Sequence, residues 1–241
     1  MTRLFPLLLL ATAALPAAGT ALALQPFEAH YEVWLNGKRQ GESTIRLERL
    51  ADGRWRHRVD AAGTAGLARL AGAEVQQDSE FRRVAERPRL DATRMRSEAA
   101  LRQREVRAAF DWDAGEVRWD GDVGAGRRGP LPLQPDAANG PLLNLLLALD
   151  VASAPTGTRL SYPLFERGRV TRQEYLVGPL EAVRTPAGEF DAVRTTSERP
   201  ERGRTTTLWF APGLPPTPVR LLQTEHGKDK YELRLTAVAG R

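Results

Sequence analysis

The sequence predicts a mainly β protein, folded as a highly curved antiparallel sheet or an incomplete β-barrel with one buried, leucine-rich helix. Three observations predict this class. Short segments of alternating apolar and polar residues recur from residue 27 to residue 238, turn dipeptides such as Asn36-Gly37 separate them, and one leucine-rich segment interrupts them at 136–150. Regularly spaced short strands are typical of antiparallel sheets and barrels. A sheet with this many strands must curl or close to bury its apolar face.

The first element is a predicted signal peptide over residues 1–23. Arg3 supplies a positive charge, residues 4–15 form an apolar run, and residues 21–23 (Ala-Leu-Ala) form a small-x-small cleavage site. The run is short for a bilayer span, and an uncleaved anchor is the alternative. We expect a mature protein that starts near Leu24, lies in the periplasm and does not span the membrane, since no later segment approaches a transmembrane length.

The segment that follows alternates with a period of two residues. Phe27–Leu35 places apolar residues on one face and mostly polar residues on the other, which predicts a half-buried strand. Asn36-Gly37 is a strong hairpin turn before the return strand. The rhythm breaks over 63–73, where one short helical turn or a loop is expected. Further strands are predicted at 55–61, 75–81, 90–95, 106–112 and 117–119.

The central leucine-rich segment predicts a helix over Asp136–Asp150. Leucine predominates in it and β-branched residues are absent, which favours a helix over a strand. Pro141 fits the first helical turn. Because the helix is apolar almost all round, it should be buried against a sheet.

The alternating pattern resumes after the helix. Strands are predicted at 160–165, 170–177, 180–185, 190–197, 205–211, 219–224 and 231–238. Strands on both sides of one helix predict a single domain over 24–241 with helix 136–150 inserted. Two outcomes are open: a closed barrel filled with side chains, or a half-open barrel with a groove in which the helix acts as a plug or lid.

Composition excludes several classes of function. The 241 residues contain no cysteine, which excludes disulfides, thiolate metal sites and a cysteine nucleophile. The net charge is +5, but the arginines are interleaved with acidic residues and do not form the basic face of a nucleic-acid binder. Phosphate-binding, dinucleotide-binding and nucleophile-elbow motifs do not occur. We therefore expect no cofactor and no nucleic-acid partner, and the absent motifs favour a non-enzymatic function.

The histidines and aspartates allow two weaker site hypotheses. His30 and His57 would form a metal or acid–base pair if neighbouring strands brought them together, whereas His226 precedes a glycine in a predicted turn. Asp111 and Asp113 lie in a loop that lacks the ligand count of a calcium site, and a β-turn is the simpler interpretation. We assign no metal site.

Several motifs resemble a known family. They are Phe27-x-Ala29-x-Tyr31-x-Val33 after the signal peptide, the turn Thr185–Phe190, the segment Leu208–Pro212 and then Pro218-Val219-Arg220. In this order and spacing they resemble the exported bacterial domain-of-unknown-function family 3108 across the mature chain. The resemblance implies a periplasmic all-β protein, with a fold similar to the half-barrel lipoprotein carriers of the Gram-negative envelope. It implies no catalytic residue.

The predicted fold favours a non-enzymatic binding function. We expect a groove between the sheet and the helix that holds a hydrophobic or amphipathic envelope molecule, such as a lipid or a lipid-linked glycan. Two alternatives remain open. One is a ligand-free scaffold or accessory protein of cell-envelope assembly, with an envelope protein as partner. The other is a polysaccharide-acting enzyme.

Five residues are the predicted ligand contacts: Leu143 and Leu146 on the helix, Trp209 and Phe210 before a proline-rich corner, and Trp34 on the first strand. An indole ring can stack on a sugar or line a lipid groove. Trp34 falls on the polar face of its strand, so it either covers a sheet edge or contacts a ligand. Core packing of all the tryptophans is the alternative. Scattered arginines should meet a phosphate or carboxylate head.

Overall fold

The computed structural model describes residues 24–100 and 102–240. The predicted signal peptide, residues 1–23, therefore lies outside the described residues. Within the described ranges, none of the helices has the length and apolarity that a bilayer crossing requires.

One sheet of fourteen strands accounts for most of the described chain. Two α-helices accompany it, α1 (Gly66–Leu70) and α2 (Gly140–Val151). The strands are β1 (Phe27–Leu35), β2 (Lys38–Arg49), β3 (Trp55–Gly63), β4 (Glu74–Val84), β5 (Arg87–Ala99), β6 (Arg102–Asp111), β7 (Glu116–Gly121), β8 (Leu131–Pro132), β9 (Arg159–Glu166), β10 (Arg169–Thr185), β11 (Gly188–Arg199), β12 (Arg204–Phe210), β13 (Arg220–Glu225) and β14 (Lys228–Gly240).

The strands form an antiparallel meander in which the first and last strands of the sequence pair with each other in the middle of the sheet. Neighbours in the chain pair with each other, and β1 also pairs with β14, so the order is β8 to β1 followed by β14 to β9. The predicted mainly β, antiparallel and highly curved sheet is confirmed. Strand pairing does not close it, because β8 and β9 remain at the edges. Between them, Ala138 forms one parallel bridge to Leu164 of β9.

One predicted break is absent from the structure. The segments 170–177 and 180–185 were expected to be separate strands, yet both belong to β10. Its pairing with β11 shifts register between Val177 and Leu180, where Gly178 and Pro179 intervene. A bulge accommodates residues that cannot follow the regular ladder, so the strand bends here without ending.

Helix α2 starts at Gly140, four residues after the predicted Asp136. Asp136 has a φ of 55°, which a right-handed helix cannot include. Asn139 is the extended N-cap residue, and its side-chain oxygen accepts a hydrogen bond from the Leu142 N–H at 3.2 Å. Pro141 lies in the first turn, where its missing N–H costs no helical hydrogen bond. The buried residues of α2 are Pro141, Leu142, Leu143, Leu145, Leu146, Leu147, Ala148 and Val151.

A polar network fixes the start of α2 to the inner face of the sheet. Asn139 Oδ1 also accepts from the Ser79 hydroxyl on β4 at 2.9 Å, and Asn139 Nδ2 donates to Thr93 Oγ1 on β5 at 2.8 Å. The Thr93 hydroxyl in turn donates to the Asp78 carbonyl at 3.0 Å. One amide therefore caps the helix and satisfies two hydroxyl groups of the sheet.

Charged groups fix the other end of α2. Asp150 accepts two hydrogen bonds from the Arg87 guanidinium, at 2.7 and 3.2 Å, and a third from the Tyr162 hydroxyl at 2.6 Å. Burial and the bond to Asp150 raise the pKa of Tyr162 above its ordinary value. Arg87 also bonds Asp136 at 2.9 Å. The helix is thus held to β5 and β9 at its C-terminal end.

His57 is a buried group of β3 that faces the interior. It is 2% exposed, and its Nδ1 has no hydrogen-bond partner among the described residues. Burial lowers the pKa of His57 to about 4 from an ordinary value of 6.5, because the charged imidazolium loses its hydration. The folded protein therefore keeps this side chain neutral over a range in which an unfolded chain protonates it.

We expect Asn139→Ala to reduce the free energy of unfolding by about 2–3 kcal/mol, since a lost N-cap costs about 1 kcal/mol and the Ser79 hydroxyl is left buried without its acceptor. Asn144→Ala on the same helix is the matched control and should change stability little. Urea unfolding monitored by circular dichroism measures both. Equal midpoints for the two variants would contradict the anchoring role of Asn139.

The His57 pKa predicts acid sensitivity. As pH falls from 6.5 to 4, the unfolded chain binds a proton that the folded chain excludes, so stability decreases by about 3 kcal/mol from this group. In His57→Phe that contribution disappears and the free energy of unfolding varies less over this interval. His30→Gln, at an exposed histidine, should retain the wild-type dependence. Identical pH profiles for wild type and His57→Phe would show that the assignment is wrong.

Candidate functional site

The inner face of the sheet and the two helices surround a cavity of about 620 Å³. Side chains alternate between the two faces of a strand, so every second residue of several strands contributes to its wall. The wall is largely aliphatic. Its main side chains are Val33, Ile45, Val59, Val75, Leu221 and Leu233.

Helix α1 lies at the mouth of this cavity, and Ala68 belongs to the wall. The segment before α1 is attached to β2, because the N–H groups of Thr64 and Ala65 donate to the Gln40 carbonyl at 3.0 and 3.1 Å. Gly66 has a φ of 54°, and a Cβ at this position would lie 2.6 Å from Gln40 Oε1. Glycine therefore allows the chain to turn closely over β2 and place α1 at the entrance.

The inner end of the cavity is more polar. The first turn of α2 contributes Gly140, Pro141 and Asn144, and Glu166 at the end of β9 lies beside them. Glu166 accepts a hydrogen bond from the Gly140 N–H. Its side chain is exposed to the open space of the cavity, yet the protein atoms around it remove part of its hydration and raise the pKa of Glu166, against the opposing effect of Arg167.

A second cavity of about 310 Å³ lies on the other side of the first turn of α2. The two cavities share the wall residues Gln77, Gly140, Pro141 and Glu166, so they adjoin at the helix start, and we refer to them together as the groove. The wall of the second cavity includes Trp119, which stacks on Phe165 with ring centroids 6.3 Å apart. Its wall also includes Arg167 at the β9–β10 turn.

The structure places the two predicted leucines of α2 away from both cavities. Leu143 and Leu146 are buried in the core and appear in neither wall. The helix meets the groove through Gly140 and Asn144, which are four residues apart and therefore share a face. The leucines are instead enclosed in the core, because an apolar helix surface is most stable where it is fully covered.

Trp34, Trp209 and Phe210 are also absent from both walls. Trp34 lies between Val33 and Leu35, which do line the groove, so it projects from the opposite face. Its ring lies 4.1 Å from the Arg234 guanidinium, and its indole N–H donates to Glu32 at 3.0 Å. The alternation along β1 could have identified Val33 and Leu35 as the inward pair.

Trp209 is held by polar groups beside the sheet. Its indole N–H donates to Glu181 Oε1 at 2.6 Å, and the Arg220 guanidinium lies 5.0 Å from the ring centroid. Phe210, the last residue of β12, is buried in the core. Neither side chain adjoins the space that the sequence interpretation assigned to it.

The weaker site hypotheses are resolved by the geometry. His30 is exposed beside Glu28, with 3.1 Å between Nε2 and Oε1, whereas His57 faces the interior, so the two histidines are not brought together. Asp111 Oδ1 accepts from the backbone N–H groups of Asp113 and Ala114 at 3.1 and 2.9 Å, as in a β-turn. In the described ranges, no group of three or more histidine, aspartate or glutamate side chains is arranged to hold a metal ion.

Two solved structures match the chain to different extents. Among solved structures, the chain is similar to a β-barrel-like protein of domain-of-unknown-function family DUF1849 from Brucella abortus, with 10% identity, a TM-score of 0.51 and coverage of 90% of this chain and 98% of that chain. It also matches a protein with a YmcC-like fold from Bacteroides fragilis, with 13% identity, a TM-score of 0.32 and coverage of 89% and 94%. The Brucella structure shows likeness of fold alone.

No curated protein matches the chain. A family model described as a protein of unknown function, DUF3108, matches residues 27–234, which span most of the sheet. This match confirms the resemblance carried by the β1 motif, the 185–190 turn and the segments on either side of the proline-rich corner. The chain therefore belongs to the DUF3108 family of proteins of unknown function.

Proposed function

We propose that this protein is a non-enzymatic periplasmic carrier or receptor that binds the aliphatic part of an amphipathic envelope molecule, a lipid or a lipid-linked glycan, inside the groove. The observation that carries the proposal is the aliphatic cavity of about 620 Å³ with its mouth beside α1. Its size falls within the range of small-molecule sites, which are mostly apolar and contain a few polar groups.

The charge of the wall indicates which part of the ligand enters. Among the described residues that line the larger cavity, Glu166 is the only charged one. A phosphate or carboxylate would therefore lose its hydration there without a cation to replace it. An alkyl chain has no such hydration to lose, and its binding is stabilised by about 25 cal/mol for each Å² of apolar surface that it buries. The polar head of the ligand should therefore remain at the mouth. Arginines were expected to bind this head, but none of the described arginines lines the larger cavity.

The predicted helix still contributes to the proposed site, but through other residues. Gly140, Pro141 and Asn144 replace Leu143 and Leu146 as the ligand contacts from α2. On the sheet, the proposed contacts are Val33, Leu221 and the other inward-facing side chains of the wall, in place of Trp34, Trp209 and Phe210. The leucines act indirectly, because their packing fixes the position of the first turn against which an alkyl chain would end.

Filling the groove tests the proposal. We expect wild-type protein to bind the uncharged apolar dye N-phenyl-1-naphthylamine with enhanced fluorescence, and long-chain alcohols to displace it. Ala61→Trp places an indole in the wall of the larger cavity and should weaken dye affinity by about tenfold or more, because it occupies the same volume.

Ala182→Trp is the matched control, since Ala182 is exposed on β10 and lines neither part of the groove. Thermal unfolding of both variants separates loss of binding from loss of folding. A folded wild-type protein that binds no dye, or equal binding by the two tryptophan variants, would contradict groove binding and favour the ligand-free scaffold.

A further inference from the structure

The mouth of the groove carries the most exposed large apolar side chains of the described chain. Leu67 and Leu70 on α1 are 81% and 82% exposed. Leu35 and Val75, each 37% exposed, belong to the wall at the same end. These four residues form what we call the mouth patch. Soluble proteins tolerate isolated exposed leucines, but a cluster beside a binding groove indicates an interaction surface.

Cationic side chains lie at the same end of the sheet as the mouth patch. The chain has only three lysines, Lys38, Lys228 and Lys230, and all lie in or beside the β1–β2 and β13–β14 turns at this end of the sheet. The two turns are in contact, since the Asn36 N–H donates to the Lys230 carbonyl at 3.1 Å. Arg69 lies on α1 between the two exposed leucines.

Some arginines of the outer sheet surface are neutralised by neighbouring carboxylates. On the outer face, Arg56 forms an ion pair with Glu80 at 2.8 Å, and Arg94 forms one with Glu105 at 2.8 Å. In contrast, Lys38, Arg69 and Lys228 have no carboxylate within ion-pair distance in the described part of the chain. Glu225 and Asp229 lie in the β13–β14 hairpin and lower its net positive charge, but Lys38, Arg69 and Lys228 form no direct ion pair with the described residues and remain available to an external anion.

We propose that the mouth patch docks on the surface of an anionic bilayer. Leu67 and Leu70 insert among the acyl chains, while Lys38, Arg69 and Lys228 contact lipid phosphates. Apolar insertion combined with basic side chains is the combination that holds proteins at membrane interfaces. Lysine and arginine suit this position, because their aliphatic stems lie along apolar surface and their heads stay in water. Docking goes beyond groove binding and does not depend on it.

A second copy of the chain fits this surface less well. A symmetric dimer places the same patch of both copies face to face, so Lys38 and Arg69 would approach their own counterparts. A short helix with two leucines also offers little area compared with the roughly 800 Å² per partner of a stable interface. A bilayer supplies both an apolar interior and negative charge.

Vesicle co-sedimentation of the folded protein tests this proposal. We expect binding to phosphatidylcholine vesicles that contain about 30% phosphatidylglycerol, with weaker binding to phosphatidylcholine alone and at high salt. Leu67→Ser/Leu70→Ser should reduce binding at least tenfold. Lys38→Gln, Arg69→Gln and Lys228→Gln should each reduce it about fivefold. These side chains are exposed, and circular dichroism should show unchanged folding.

Two controls make the outcome specific. Leu180→Ser changes a leucine that is 56% exposed on β10, away from the mouth, and should bind vesicles as wild type does. Ala61→Trp fills the groove and should also bind vesicles normally, which separates docking from ligand uptake. Absence of vesicle binding by wild type, equal binding by Leu67→Ser/Leu70→Ser, or a wild-type dimer in sedimentation velocity that this double variant abolishes would each overturn the proposal.

Discussion

The anchoring of α2 inside the curved sheet is the constraint on which the rest of the structure depends. A helix that is apolar on nearly every side must be covered, and the inner face of the sheet provides that cover. Asn139 fixes one end to the middle of β4 and β5, and Asp150 fixes the other to Arg87 at the start of β5. Because both ends are held, the helix has one defined position between the sheet edges.

The groove follows from the limited length of this helix. Twelve residues of α-helix extend about 18 Å, whereas the eleven residues of β4 extend about 36 Å. A helix of about 18 Å cannot fill the inner space of the sheet from end to end. The leucines fill the part between Asn139 and Asp150, and the space beyond the first turn remains open. The same geometry brings Gly140 and Asn144 to the boundary between packed core and cavity.

Much of the fold could be predicted from local patterns, because alternation and turn dipeptides act over a few residues. The alternation along β1 separates Val33 from Trp34, and the leucine content of 136–150 indicates the helix. The start of α2 was misplaced because a positive φ at Asp136 and the bonds from Asn139 to distant strands leave little trace in a short window. Leu143 and Trp209 lie outside both cavity walls, which local patterns do not reveal because a cavity is defined by the spacing between elements. Only the assembled sheet determines which apolar residues pack in the core and which line an open cavity.

The pairing of β1 with β14 also affects how the chain reaches its final form. Phe27 lies opposite Gly240, so a central ladder of the sheet joins segments from the two ends of the described chain. Contacts between residues so far apart in sequence close slowly, and the edge of the first hairpin stays unprotected meanwhile. Because synthesis proceeds from the N-terminus, β1 has no β14 partner until residues 228–240 have been made. Assistance by a chaperone that shields strand edges would therefore matter most in that interval.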